Sequence, residues 1–210
     1  MANNPDKLIR RLFPTNRRLL VEKSLYTVDT GGVQRVLVVG AGHDPYRHYF
    51  DELEIYLRLD IENISGATDV VADATQLPIC ANGVDCIMAV EVMEHIENPF
   101  KFVEELERVL EPGGIVVLTV PFMFHEHGDP FDYWRPTSFS LESLFSRFSK
   151  VSIVRQGHRL HVLSDMLTTS FSSSKVPIFF PLRILNHFLV HVSCFGASSA
   201  PSGFLFVARK

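Results

Sequence analysis

Short apolar runs punctuated by turn residues recur along most of the chain. Val36, Leu37, Val38 and Val39 form an unbroken apolar run that stops at Gly40-Ala41-Gly42. A run of this length without polar alternation predicts a strand buried on both faces, as in a parallel sheet. Similar runs at residues 54–59, 70–72, 84–90, 115–120, 151–154 and 203–208 predict six further strands. Between them the period changes. Phe102, Val103, Leu106, Val109 and Leu110 recur at helical spacing behind Pro99, which suits a first turn, and Glu111-Pro112-Gly113-Gly114 closes that helix. A helix is also expected over residues 46–53. Another is expected within 137–145, with Ser140 as its N-cap and Leu141, Leu144 and Phe145 on one side. Strands alternating with helices point to a doubly wound α/β sheet.

The two ends of the chain read differently. Residues 5–26 predict one or two helices broken at Pro14, with Leu8, Ile9, Leu12 and Phe13 on one side and Lys7, Arg10 and Arg11 between them. Between the sixth and seventh strands, residues 158–201 are longer than a hairpin needs. They carry Phe179, Phe180, Leu182, Leu185, Phe188 and Leu189, interrupted by Arg183, Asn186, His187 and His191. That pattern predicts a helical insertion rather than a transmembrane segment; a peripheral membrane contact stays open. The chain is read as one domain. Residues 1–30 are a helical lid, 31–155 a cofactor-binding core, and 158–201 an insertion before the last strand.

Composition narrows the class. A chain of 210 residues with 46% hydrophobic residues can bury a large core. A net charge of -4 gives no reason to expect a nucleic-acid partner. Arg10, Arg11, Arg17 and Arg18 read as the solvated face of a helix. Cys80, Cys86 and Cys194 lack metal-ligand spacing, and no apolar leader opens the sequence, so a cytoplasmic location is expected. Composition leaves the oligomeric state open.

Candidate chemistry collects at the ends of the predicted strands. Gly40 and Gly42 form a turn at which a ligand can approach the backbone. Asp60 lies 20 residues after Gly40, at the end of the second strand, where a carboxylate can hold two ribose hydroxyls. Asp73 and Ala74 follow the third strand and suit an exocyclic amino group and a ring nitrogen. Glu91 ends the fourth strand, with Glu94 and His95 one turn on. The third glycine of a dinucleotide fingerprint is absent, its place taken by Asp44, Pro45 and Tyr46, which disfavours a pyrophosphate ligand.

In their order and spacing, Val39-Gly40-Ala41-Gly42, Asp60, Asp73-Ala74 with Leu77-Pro78, Glu91 with Glu94-His95, and Leu110-Glu111-Pro112-Gly113-Gly114 are specific. Residues 36–121 resemble a class I S-adenosylmethionine-dependent methyltransferase, of the small-molecule kind called methyltransferase type 11. Two departures are Val38, where the family usually has an acid, and the missing third glycine. The resemblance implies a Rossmann-like, mostly parallel seven-stranded sheet with the last strand antiparallel beside the sixth. It implies S-adenosyl-L-methionine as cofactor, with Gly40 and Gly42 near its methionine part, Asp60 on the ribose, Asp73 and Ala74 on the adenine, and Glu91 near the sulfonium. For His95 it implies packing and hydrogen bonding rather than a role as base.

Beyond the fifth strand, residues 122–137 are dense in histidine, acid and aromatic residues. The stretch from His127 to Arg135 resembles a run found in methyltransferases of polysaccharide and cell-surface sugar modification. The expected acceptor is therefore a small molecule, with a sugar or lipid-linked sugar hydroxyl as its leading class. Two readings of Tyr133, Trp134 and Arg135 are open: an acceptor platform, or a structural loop with Trp134 in the core and Arg135 paired to Asp132. A hydroxyl acceptor needs a base; His125, His127 and Asp132 are the candidates. His125 and His127, with Asp129 and Asp132, also suggest metal ligands, but no zinc-type pattern surrounds them and no metal is expected. Two other classes stay open: a non-catalytic cofactor-binding scaffold and an NAD-dependent oxidoreductase.

Overall fold

Strands β1 (Arg35–Val39), β2 (Ile55–Asp60), β3 (Val70–Val71), β4 (Val84–Val90), β5 (Leu110–Pro121), β6 (Ser149–Gln156) and β7 (Gly203–Arg209) form one sheet in the order β3-β2-β1-β4-β5-β7-β6. The structure is a computed structural model that describes residues 14–63, 66, 68–127, 131–170 and 200–210. The predicted helix before Pro14, Asp129, Cys194 and the apolar run of 171–199 lie outside the described residues. Strands β3, β2, β1, β4 and β5 pair in parallel, and β7 runs antiparallel between β5 and β6. The sheet is therefore Rossmann-like, doubly wound and seven-stranded, with the last strand antiparallel as expected.

Alternation along β1 divides the core between the two faces, since successive side chains point to opposite sides of a strand. Leu37 and Val39 join Ile87, Leu118, Phe102 and Phe206 on one face. Val36 and Val38 join Met88, Val117, Phe50 and Leu25 on the other. Helix α1 (Asn16–Leu25) packs on the second face, whereas α2 (Pro99–Val109) and α3 (Ser138–Leu144) pack on the first. Asn98 caps α2 by accepting from the Lys101 amide at 3.1 Å, and Phe102, Val103, Leu106 and Val109 are its buried stripe. Helix α4 (Arg159–Ser170) lies against α1. Its buried Asp165 accepts from the amides of Asn16 and Arg17 at 2.9 and 3.0 Å, which satisfies first-turn donors of α1. Among the described residues no helix is long and apolar enough to cross a membrane.

Three local expectations are corrected. The helix expected over 46–53 is a single 3₁₀ turn, Arg47–Tyr49. The spacing of Tyr46, Tyr49, Phe50 and Leu53 does face the core. However, the carbonyls that a helix would use are bound by side chains: Tyr49 by Thr30 at 2.9 Å, and Phe50 and Asp51 by Arg47 at 2.8 and 3.0 Å. The N-cap of α3 is Thr137 rather than Ser140; its hydroxyl accepts from the Ser140 amide at 3.2 Å. The turn at Glu111-Pro112-Gly113-Gly114 is a bulge within β5, where pairing with β4 jumps from Leu110 to Ile115.

Candidate functional site

A cleft of about 1010 Å³ opens at the carboxyl ends of β1, β2, β3 and β4, where ligands bind in open α/β sheets. Gly40, Asp60, Asp73, Ala74 and Glu91 line it. Gly40 has φ +65°, and a Cβ there would strike the Val92 side chain, so β1 needs glycine to turn at this point. Gly42 does not line the cleft. Its amide donates to Asp60 Oδ2 at 2.9 Å and orients that carboxylate. Asp73 is held similarly, its Oδ1 accepting from the Thr75 amide and hydroxyl at 2.7 and 2.8 Å. The far wall is formed by His95, Phe100, Lys101, Phe131, Tyr133 and Trp134.

Glu91 takes a left-handed backbone conformation at φ +55° as β4 ends. Its carboxylate accepts from Arg17 Nε at 2.9 Å and Nη2 at 2.5 Å, and from the Thr119 hydroxyl at 2.9 Å. Arg17 Nη1 also donates to Gln156 at 2.6 Å. The Arg17 side chain is only 4% exposed, so it is not part of a solvated face; Arg18, paired to Glu22 at 3.0 Å, does face solvent. A Cβ on Gly203 would overlap the Arg17 guanidinium and the Val120 carbonyl. Sequence reasoning missed Arg17 because its partner lies 74 positions away.

Behind Glu91 sits a second cluster. Glu94, in the 3₁₀ turn Met93–His95, is fully buried and neither carboxyl oxygen has a hydrogen-bond partner among the described residues. Burial first, and the neighbouring Glu91 charge second, push its carboxyl up to about 8. His95 Nδ1 lies 2.7 Å from the Phe131 carbonyl and donates to it. The Tyr133 amide donates to the Glu94 carbonyl at 2.7 Å, and Trp134 Nε1 to the Ile96 carbonyl at 2.8 Å, so the 131–135 loop is stitched to this turn. Asp132 receives two bonds of 2.5 Å from Arg135 and one of 2.8 Å from the His127 amide. Burial works to raise the Asp132 carboxyl, but these bonds outweigh it and hold it below the usual range.

His127 Nε2 stands 3.8 Å from Glu94 Oε1, and its Nδ1 stands 3.4 Å from Asp132 Oδ2. Burial pushes the imidazoles of both His125 and His127 below their ordinary value, so both are neutral at pH 7. His125 packs on Phe124 with ring centroids 4.3 Å apart. Neither histidine nor Asp132 is among the residues that line the cleft. The two readings of the loop combine: Arg135 pairs with Asp132, while Trp134 is 37% exposed at the cleft rather than in the core.

A family model described as a methyltransferase domain matches residues 40–118. An uncharacterized methyltransferase of Mycolicibacterium vanbaalenii is 32% identical over 83 residues, which cover 37% of this chain and 32% of that protein. The chain thus spans about a third of the length of that curated relative. A S-adenosylmethionine-dependent methyltransferase from Archaeoglobus fulgidus shares the fold with a TM-score of 0.61 at 17% identity, covering 97% of this chain and 98% of that one. Phosphoethanolamine N-methyltransferase 2 of Haemonchus contortus, solved with S-adenosyl-L-methionine, has a TM-score of 0.55 at 16% identity, covering 93% of this chain and 52% of that one. Residues 40–118 thus match the methyltransferase-domain family model, and the sheet that holds them has the fold of solved S-adenosylmethionine-dependent methyltransferases.

Proposed function

We propose that the chain transfers a methyl group from S-adenosylmethionine to a hydroxyl of a small-molecule acceptor, with sugars and lipid-linked sugars as the leading class. The observation that carries this reading is the wall of the cleft: Gly40, Asp60 and Asp73 stand at the ends of three successive strands around about 1010 Å³. That space suits a nucleoside cofactor with an acceptor beside it.

The residues present fit the cofactor. The missing Cβ at Gly40 leaves the backbone of the turn approachable, and the Gly42 amide holds Asp60 ready to accept from ribose hydroxyls. Asp73 and the Ala74 amide suit the edge of an adenine. Glu91, fixed by Arg17 and Thr119, keeps a negative charge close to a sulfonium. When bound, S-adenosylmethionine supplies a methyl carbon whose leaving group is already activated. The chain has to align the acceptor, exclude water and remove one proton. The exposed rings of Phe131, Tyr133 and Trp134 along the cleft suit stacking on a sugar face. His127 or His125, each beyond the His95 wall of the cleft, takes the hydroxyl proton where the acceptor reaches past that wall, and Asp132 orients His127. In the proposed lid segment Arg17 reaches Glu91, and residues 31–155 act as the cofactor-binding core.

Methyl transfer from labelled S-adenosylmethionine to a panel of sugars and lipid-linked sugars tests this. The expected result is turnover on at least one hydroxylated acceptor, lowered at least tenfold in His127→Ala and, at subsaturating S-adenosylmethionine, in Asp60→Ala. Hydride transfer with NAD, or turnover unchanged in Asp60→Ala, would overturn it.

A further inference from the structure

Three side chains at the His95 wall of the cleft and behind it form an arrangement that base catalysis does not require. Glu94 Oε1 lies 3.8 Å from His95 Nε2 and 3.8 Å from His127 Nε2. One potential ligand atom from each of the three falls within 4.8 Å of the others. Both Glu94 oxygens are buried and have no hydrogen-bond partner among the described residues. Arg17 bonds to Glu91 and Arg135 bonds to Asp132, so neither cation satisfies Glu94. A buried carboxylate without a partner is unfavourable, and a cation between it and two imidazoles removes that penalty.

The outer contacts point the same way. His95 gives its Nδ1 proton to the Phe131 carbonyl, which leaves Nε2 as a lone pair aimed at Glu94. His127 turns Nδ1 toward Asp132 at 3.4 Å and Nε2 toward Glu94. A carboxylate or carbonyl behind each imidazole is the usual support of a metal-binding histidine, because it fixes the tautomer and the ring. Ligand atoms around one ion stand about 3.0–3.5 Å apart when each bond is about 2.1 Å. Separations of 3.8 Å therefore need a modest inward turn of the two rings.

We propose that Glu94, His95 and His127 bind a divalent first-row transition-metal ion, in a two-histidine, one-carboxylate site with open positions toward the cleft that His95 lines. Imidazole with carboxylate suits zinc, iron or manganese. The ion's use rests on the methyl-transfer reading: an acceptor hydroxyl in an open position loses its proton more readily under the ion's charge. His127 then serves as a ligand rather than as the base, the released proton passes to His125 or to water in the cleft, and vicinal hydroxyls, which can fill two positions, become the preferred acceptors.

The test is a titration of the chelator-stripped full chain with Co²⁺ alone, read by visible absorption and competed with Zn²⁺, with S-adenosylhomocysteine binding measured on the same samples. One equivalent of Co²⁺ is expected, bound at least tenfold more weakly by His127→Ala and Glu94→Gln and unchanged in His48→Ala, which lies outside the site. His127, with 28% of its side chain exposed, can be truncated without leaving a buried cavity, so this variant carries the test if Glu94→Gln does not fold. Absence of Co²⁺ binding in the wild type, or equal affinity in all variants, overturns the site and leaves Glu94 a buried neutral acid. Co²⁺ binding without S-adenosylhomocysteine binding keeps the site and removes the methyl-transfer reading. S-adenosylhomocysteine binding without Co²⁺ removes the site alone.

Discussion

At the ends of β1, β2 and β3 each acid is held by a near neighbour: Asp60 by the Gly42 amide 18 positions earlier, and Asp73 by Thr75 two positions on. At the end of β4 the groups that hold the acids come from far along the chain. Glu91 is bound by Arg17, and the Glu94 backbone by Tyr133 of a later loop. The first half leaves its carboxylates at the wall of an open cleft. The second buries Glu94 and Asp132 beside two histidines. The difference separates two tasks. Recognition of hydroxyls and amines needs acceptors that stay solvated until the ligand arrives. Moving a proton or holding an ion needs charges removed from water, where their mutual interaction is stronger.

The largest effect expected from breaking this contrast is at Arg17. Arg17→Met removes the buried partner of Glu91 and of Gln156. It should cost about 3 kcal/mol of stability, by the scale for a broken buried ion pair. Urea unfolding should show a lower midpoint with an unchanged slope. A loss under about 0.5 kcal/mol would mean that Glu91 is hydrated and the second half is as solvated as the first.

Asp60→Ala should act in the opposite manner. Stability should move by less than about 1 kcal/mol, because a partly exposed acceptor is lost, while S-adenosylhomocysteine affinity falls by about 2 kcal/mol, or roughly 30-fold, the worth of hydrogen bonds to a charged group. Calorimetry reads the affinity, and a melting curve the stability. A variant that binds normally but melts early would make Asp60 a structural acid like Glu91.

Glu105 is a control away from both halves, and its effect should be smallest. It accepts from Arg108 at 2.7 and 2.8 Å and from the Leu77 amide at 2.7 Å. The Arg108 bond is the main reason its carboxyl sits below the ordinary value of 4.5. A depressed folded pKa gives stability that is present above 4.5 and lost as pH falls through the folded value. Glu105→Gln should therefore cost about 1 kcal/mol at pH 7. The gap from wild type should close in acid, as denaturant midpoints at pH 7 and pH 3 would show.

The same contrast marks what the sequence discloses. The β4 prediction of residues 84–90 matches the observed Val84–Val90, because a strand buried on both faces leaves an unbroken apolar run. Gly40, Asp60 and Asp73 line the cleft as their positions in the sequence suggest, since strand ends fix where a loop begins. Residues 46–53 misled because aromatic spacing records which side chains face the core, while Thr30 and Arg47 decide where the backbone carbonyls go. Ser140 was taken as a cap because Ser and Thr share that preference, and Thr137 stands three residues earlier. Glu94 and His95 stand out in the sequence beside Glu91, but their pairing with His127 does not, and Arg17 on a surface-patterned helix declares nothing until β4, β5 and the 131–135 loop bring these neighbours together.

Titration calorimetry of the purified chain with S-adenosylhomocysteine, with NAD in parallel, bears most directly on the central claim. The account predicts one S-adenosylhomocysteine per chain with a dissociation constant in the micromolar range or tighter, no measurable NAD binding, and a roughly 30-fold weaker complex in Asp60→Ala. NAD binding in preference to S-adenosylhomocysteine, or S-adenosylhomocysteine affinity indifferent to Asp60, would contradict it.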